Sequence, residues 1–156
     1  MAGWTAPLYA LPDYDDARIK AAYLYQLPNF IESSLNNQDE GVSVCVLGDN
    51  PFRKFSEGNA LGKFRLIQKK GQNDFRECEI LYISDSESPE LEHILSHIKQ
   101  QPILTVSDIQ KFAKYGGMVG FTEFNGSIRL EINTKALAAA KFTIDQHLLE
   151  VALHVY

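Results

Sequence analysis

Five polar residues lie where three predicted strands end, and their side chains offer oxygens to a small ligand. They are Asp49, Asn50, Ser84, Thr105 and Ser107. In open α/β sheets, ligands bind beyond the carboxyl ends of the strands, at the point where strand order reverses. A few converging polar groups are typical of such sites. Turn residues are polar in any protein of this class, however, so an ordinary structural role for all five stays open.

Two histidines have the spacing of metal ligands. His93 and His97 are four residues apart on a predicted helix and could share one face. The intervening residues lack the glutamate of an HExxH motif, so solvated surface histidines are the stronger interpretation. No GxSxG occurs, and GDNPF follows the first strand in place of a nucleotide-binding glycine loop. The sequence therefore predicts no catalytic residue, no metal and no cofactor.

Composition narrows the class of protein. The chain has 156 residues, of which 45% are hydrophobic and 22% charged, as expected for one globular domain. Its net charge is −5 with no basic stripe, which argues against nucleic-acid binding. No apolar run approaches the roughly 20 residues of a membrane-spanning helix, so direct membrane insertion is not expected.

The termini and cysteines leave the compartment open. The first residues lack the basic and apolar regions of a secretory signal, which fits a cytoplasmic protein or a mature secreted chain with an added start codon. Cys45 and Cys78 could be two buried thiols in the first case or one disulfide in the second.

Hydrophobic periodicity predicts one α/β domain at residues 15–156, preceded by an extended arm at residues 1–14. The predicted strands are 42–47, 64–68, 78–83, 102–106, 118–124 and 127–132. The predicted helices are 17–33, 52–61, 88–98, 109–115, 133–140 and 145–154. Pro28 should kink or shorten the first helix, and Asn125-Gly126 predicts a hairpin between the last two strands. The alternation indicates a mostly parallel sheet with helices on both faces, ending in an antiparallel hairpin.

Several short motifs, in a fixed order, resemble the YfiR family. They are CVLGDNPF at 45–52, PILTVSDI at 102–109, FA and GGMV at 112–113 and 116–119, IRLEIN at 128–133 and LLEVA at 148–152. The resemblance runs from about Ala17 to Val155, and many motifs in one order make it specific.

The resemblance implies a periplasmic protein whose signal peptide is missing here, with a Rossmann-like or flavodoxin-like fold that is often dimeric. Its best-known members bind the periplasmic sensor region of an inner-membrane diguanylate cyclase and hold it inactive. Release of the cyclase raises cyclic-di-GMP and promotes biofilm formation. Other members accompany sensor histidine kinases, which keeps a small-ligand sensor as the alternative function.

The resemblance also suggests roles for particular residues. Cys45 and Cys78 match a cysteine pair that can be bridged in the family, so a disulfide between them is expected. The predicted partner surface combines the first helix and the loop that holds the GGM motif. Its residues are Tyr23, Tyr25, Phe30, Gly116, Gly117 and Met118. Core packing is the alternative for the three aromatic residues of the helix.

Overall fold

The structure is a computed structural model that describes residues 12–32, 41–56, 64–71 and 74–156. Its helices are α1 (Pro12–Phe30), α2 (Arg53–Ser56), α3 (Leu91–His97), α4 (Thr134–Ala139) and α5 (Gln146–Val151), with a 3-10 helix at Asp85–Glu90. Its strands are β1 (Ile31–Glu32), β2 (Val42–Leu47), β3 (Phe64–Lys69), β4 (Ile80–Ile83), β5 (Leu104–Ser107), β6 (Val119–Phe124), β7 (Ser127–Ile132), β8 (Thr143–Ile144) and β9 (His154–Val155).

The described residues form a seven-stranded sheet in the order β3-β2-β4-β5-β6-β7-β9. Every neighbouring pair in it is parallel except the β6–β7 hairpin. The five strands β2 to β6 have the flavodoxin-like order. The chain starts inside the sheet at β2, forms the edge strand β3 and then continues on the other side of β2 with β4. β1 and β8 form a separate antiparallel ribbon. The predicted α/β fold with its antiparallel hairpin is confirmed.

The central strands are apolar because both of their faces are covered. Every residue of β2, β4 and β5 is buried, as expected for parallel strands between two helical layers. Val46, Tyr82 and Val106 are in register on one face and join a core that α1 covers through Leu24 and Leu27.

The opposite face has its own core. Cys45 and Leu81 are in register there, one residue away from the first face along each strand. α3 covers this face with Ile94, and Phe112 completes the layer. The two cores therefore use alternate residues of the same strands.

A disulfide joins Cys45 on β2 to Cys78, with the two Cα atoms 5.6 Å apart. Cys78 lies just before β4, which begins at Ile80, whereas the sequence predicted it inside the strand. Phe75 packs in the same core, and the amide of Cys78 donates to the Phe75 carbonyl oxygen. The bridge expected from the family resemblance is present and ties this turn to the central strand.

The first helix differs from its prediction at both ends. It begins at Pro12, so the last residues of the predicted arm are helical, and the rest of the arm lies outside the described residues. Proline suits the first position of a helix because its φ is already helical and its missing N–H would have no partner there. The helix runs through Pro28 and ends at Phe30, before the predicted residue 33, where the chain enters β1.

The predicted helix at 109–115 is wrong, because this segment is a series of turns. Lys111 has a φ of +63°, in the left-handed region, and this interrupts any helical path. The amide of Phe112 donates to the Ile109 carbonyl oxygen, and that of Gly117 donates to the Phe112 carbonyl oxygen. These bonds span three and five residues, and the one helical i to i−4 bond here, from the Tyr115 amide to the Lys111 carbonyl oxygen, is not continued into a helix.

Three other helices also have boundaries that differ from the predicted ones. The 52–61 prediction contains the short α2, and its residues from 57 onward lie outside the described part. The 88–98 helix begins as a 3-10 turn and becomes α3 only at Leu91. The last predicted helix ends at Val151, because the chain returns to the sheet as β9 beside β7.

Removing the disulfide should destabilise the protein by about 3–4 kcal/mol, because the bridge closes a loop between residues 33 positions apart. We expect this loss for the double variant Cys45→Ala, Cys78→Ala, measured by urea unfolding. Wild-type protein under reducing conditions keeps both sulfur atoms and controls for lost packing. Equal unfolding midpoints for oxidised wild type and the double variant would contradict the expectation.

Candidate functional site

At the point where strand order reverses, between β2 and β4, the residues that follow the two strands form hydrogen bonds with each other. The amide of Asp49 donates to the Ser86 hydroxyl over 3.0 Å, and that of Ser84 donates to the Leu47 carbonyl oxygen. Gly48 has a φ of +92°, and a Cβ atom there would lie 2.5 Å from the Ser86 hydroxyl oxygen. The 3-10 helix therefore packs against the end of β2.

Three of the five predicted ligand residues use their side-chain oxygens inside the fold. Asn50 accepts from the amide of Phe52 over 2.8 Å. Thr105 accepts from the amide of Met118 over 3.0 Å. Ser107 donates to the Ile83 carbonyl oxygen over 2.5 Å and accepts from the amide of Ile109.

The other two predicted ligand residues are placed differently. Asp49 is exposed, and Ser84 is buried. None of the five lines the larger of the clefts described below. A ligand role for these five residues therefore stays a prediction.

A polar cleft of about 850 Å³ opens beside these strand ends. Asp85 and Asp108, which immediately follow Ser84 and Ser107, line it together with Glu123 near the hairpin tip. α1 contributes Asp16 and Lys20. Sequence reasoning missed this cleft because a helix and a hairpin far away in the chain supply most of its wall.

Lys20 and Asp108 form an ion pair across the cleft wall. The distance from Lys20 Nζ to Asp108 Oδ2 is 3.2 Å, and both side chains are largely buried. The two residues are 88 positions apart, so the pair ties α1 to the end of β5.

The three predicted partner residues of α1 differ in exposure. Tyr25 is 47% exposed and its ring lies 5.7 Å from that of Phe64. Tyr23 is half-buried, with its hydroxyl donating to the Ile128 carbonyl oxygen over 3.4 Å. Phe30 packs against the core. Tyr25 therefore offers the most surface of the three to another molecule.

The GGM loop has one exposed residue and two buried ones. Gly116 is exposed with a φ of +114°, in the left-handed region that glycine adopts without strain. Gly117 is buried against the ring of Phe112, where a Cβ atom would lie 2.1 Å from the nearest ring atom. Met118 is also buried, and its sulfur accepts from the amide of Thr105 over 3.5 Å.

An apolar groove of about 310 Å³ lies at the amino edge of the sheet, next to this loop. It is lined by Leu95 of α3 and Ala136 of α4, by Ile98 and Ala140 just beyond the ends of these helices, and by Met118. The loop thus places Gly116 at the surface while Met118 helps to line the groove.

The two histidines of α3 are exposed, and their ring centroids lie 6.4 Å apart. The ring of His97 also meets the edge of Phe75 at 6.5 Å. In the part of the chain that the structure describes, no three His, Cys, Asp or Glu side chains are grouped as a metal site.

Comparison with known proteins identifies the family. The sequence profile of the YfiR/HmsC-like family matches residues 17–153, which is most of the chain and includes both cysteines, the GGM loop and the hairpin. The chain belongs to the YfiR/HmsC-like family. No curated protein sequence is significantly similar to it.

Solved structures show that the fold of this YfiR/HmsC-like chain recurs in distant proteins. A conserved domain protein from Vibrio cholerae is 10% identical with a TM-score of 0.66, over 93% of this chain and 60% of that one. An ABC domain from Streptococcus pneumoniae, in complex with L-Trp, is 12% identical with a TM-score of 0.62, over 90% of this chain and 60% of that one. The chain thus spans about three fifths of each, and the likeness concerns the fold alone.

Among the helices that the structure describes, none is both long and apolar enough to cross a membrane.

Replacing Gly117 with alanine should cost about 1–3 kcal/mol of folding free energy, since the added methyl group overlaps the buried ring of Phe112. Gly71→Ala is the matched control, because no atom lies within 4 Å of its added carbon. Urea unfolding of both variants measures the difference. Equal stabilities would show that the ring of Phe112 can move aside at no cost.

Proposed function

We propose that this protein is a non-enzymatic periplasmic regulator that binds the periplasmic sensor region of an inner-membrane diguanylate cyclase. Binding holds the cyclase inactive, which lowers cyclic-di-GMP and biofilm formation. The observation that carries the proposal is the YfiR/HmsC-like match over residues 17–153. The disulfide between Cys45 and Cys78 supports it, because such bonds form and persist in an oxidising compartment.

The exposed part of α1 is the proposed contact surface. Tyr25 and Ile19 are 47% and 43% exposed, although large apolar side chains favour burial. Aromatic residues are enriched at protein interfaces, where an apolar ring and a polar hydroxyl can both be used. Tyr25 also packs on Phe64 of the edge strand β3, so a partner could contact helix and strand together.

The GGM loop extends the proposed surface through Gly116 and the neighbouring Tyr115, which is 63% exposed. Tyr23, Phe30, Gly117 and Met118 would act indirectly, by holding the helix and the loop in place. A homodimer, which the family resemblance implies, is part of the proposal and fits the position of β3 at the edge of the sheet that the described residues form.

A second candidate function is a periplasmic small-ligand sensor that signals to a histidine kinase or another receptor. The polar cleft beside the strand ends favours it, because its volume suits a small molecule. The two functions are compatible if a ligand controls the release of the partner.

Crosslinking in the native host tests the proposed partner. We expect the exported, tagged protein to retain an inner-membrane diguanylate cyclase after solubilisation, and deletion of the protein to raise cellular cyclic-di-GMP. Recovery of a histidine kinase instead, with unchanged cyclic-di-GMP, would favour the sensor. A tagged disulfide-bonded periplasmic protein of similar size controls for non-specific capture.

Tyr25→Ala should weaken binding to the cyclase sensor region by about 1–2 kcal/mol, as expected for an exposed aromatic residue at an interface. Phe124→Ala is the matched control because Phe124 is 46% exposed on the hairpin. Surface plasmon resonance with the purified sensor region measures both affinities, and melting curves confirm folding. Full-strength binding by folded Tyr25→Ala protein would refute this choice of surface.

A further inference from the structure

The apolar groove lined by α3 and α4 has a floor whose polar groups are already used within the fold. The Thr105 hydroxyl accepts from the amide of Met118 over 3.0 Å, and the amide of Thr105 donates to the sulfur of Met118 over 3.5 Å. The side-chain amide of Asn133 donates to the Ala113 carbonyl oxygen over 2.7 Å, and its oxygen accepts from the amide of Ala136. The floor therefore offers a ligand mainly apolar surface.

The rim of this groove carries positive charge, although the net charge of the protein is −5. Lys99 lies just beyond α3 and Lys135 lies on α4, and both are exposed and line the groove. Within the described ranges, neither ammonium group has a hydrogen bond or an ion pair. The groove lining that the structure describes also contains no Asp or Glu. An anionic group at this rim would therefore meet two cations that no described side chain neutralises.

The size of the groove favours a small molecule over a protein partner. Its volume of about 310 Å³ is at the lower end of the range for small-molecule sites. A stable protein interface needs about 800 Å² from each partner, which is far more than a cavity of this volume can supply. An apolar floor beside a cationic rim matches the chemistry of a short apolar chain that ends in a carboxylate.

We propose that this groove binds a short-chain aliphatic carboxylic acid in its ionised form. The chain lies against Leu95, Ile98 and Met118, and the carboxylate pairs with Lys99 and Lys135 at the rim. The flexible stems of the two lysines let both ammonium groups reach one carboxylate while the stems cover the chain. The groove shares no lining residue with the polar cleft beside the strand ends. The inference does not depend on the cyclase proposed above.

Isothermal titration calorimetry of the full chain with sodium octanoate tests the site, below the micelle concentration and at constant ionic strength. We expect saturable binding. The compounds 1-octanol and octylammonium have the same chain, and both should bind about tenfold more weakly because one lacks the charge and the other reverses it. Hexanoate should also bind more weakly, by up to about fourfold for each methylene group that is no longer buried.

Variants of the rim and of the groove wall locate the bound octanoate. Lys99→Met and Lys135→Met should each weaken binding about threefold, as expected for an exposed ion pair. Lys141→Met is the matched control, because Lys141 is an exposed lysine that does not line the groove. Ala139→Leu should weaken binding about tenfold by filling the groove. Ala138→Leu adds the same side chain to an exposed position of α4 outside the groove and should have no effect.

The absence of saturable octanoate binding would overturn the proposal, and so would equal binding of 1-octanol or octylammonium. Full-strength binding by Ala139→Leu protein with an unchanged melting temperature would do the same, because the octanoate would then lie elsewhere. Sedimentation velocity tests the other occupants of the groove. If Ala139→Leu dissociated a dimer that Ala138→Leu retains, the groove would belong to a second copy of the chain. All of these measurements use the isolated protein, so their failure would leave the proposed cyclase partner unaffected.

Discussion

Burial of the central strands on both faces is the constraint that shapes this protein. β2, β4 and β5 have no exposed residue, so each must be apolar on two sides and can offer polar groups only at its ends. Thr105 and Ser107 obey this constraint by bonding within the fold, to the amide of Met118 and the carbonyl of Ile83. Burial raises the pKa of the Tyr82 phenol, and the charge of Asp108 together with a hydrogen bond to it raises that pKa further.

Different interactions attach the covering layers to the two faces of the sheet. On one face the Cys45–Cys78 bridge fixes the turn before β4 to the strand beside it. On the other, α1 covers the core with Leu24 and Leu27, and Lys20 ties it to the end of β5. A covalent bond therefore joins a turn to the sheet on one face, whereas on the other face α1 is held by apolar contacts, the Lys20–Asp108 pair and the hydrogen bond from Tyr23 to Ile128.

Sequence patterns predicted the sheet better than the site. β-branched runs and the Asn125-Gly126 turn gave the strands and the hairpin, because both patterns reflect local backbone preference. The prediction of a helix at 109–115 was wrong, since Lys111 has a positive φ that its local sequence does not indicate. The family motif led to the prediction that Met118 lies on the partner surface. Met118 is buried, because a short motif does not reveal which of its residues face the core. The cleft joins Lys20 to a residue 88 positions away, which no local pattern can show.

α1 connects the proposed contact surface to the proposed ligand cleft. Lys20 lies in the cleft wall and Tyr25 is exposed five residues further along the same helix. A helix moves largely as one body, because its backbone bonds join each residue to the next turn. If a ligand in the cleft shifted this helix, Tyr25 would move with it, and ligand and partner would then affect each other's binding reciprocally. The family match supports the proposed binding of a cyclase, and this helix links the proposed contact surface to the cleft beside the strand ends.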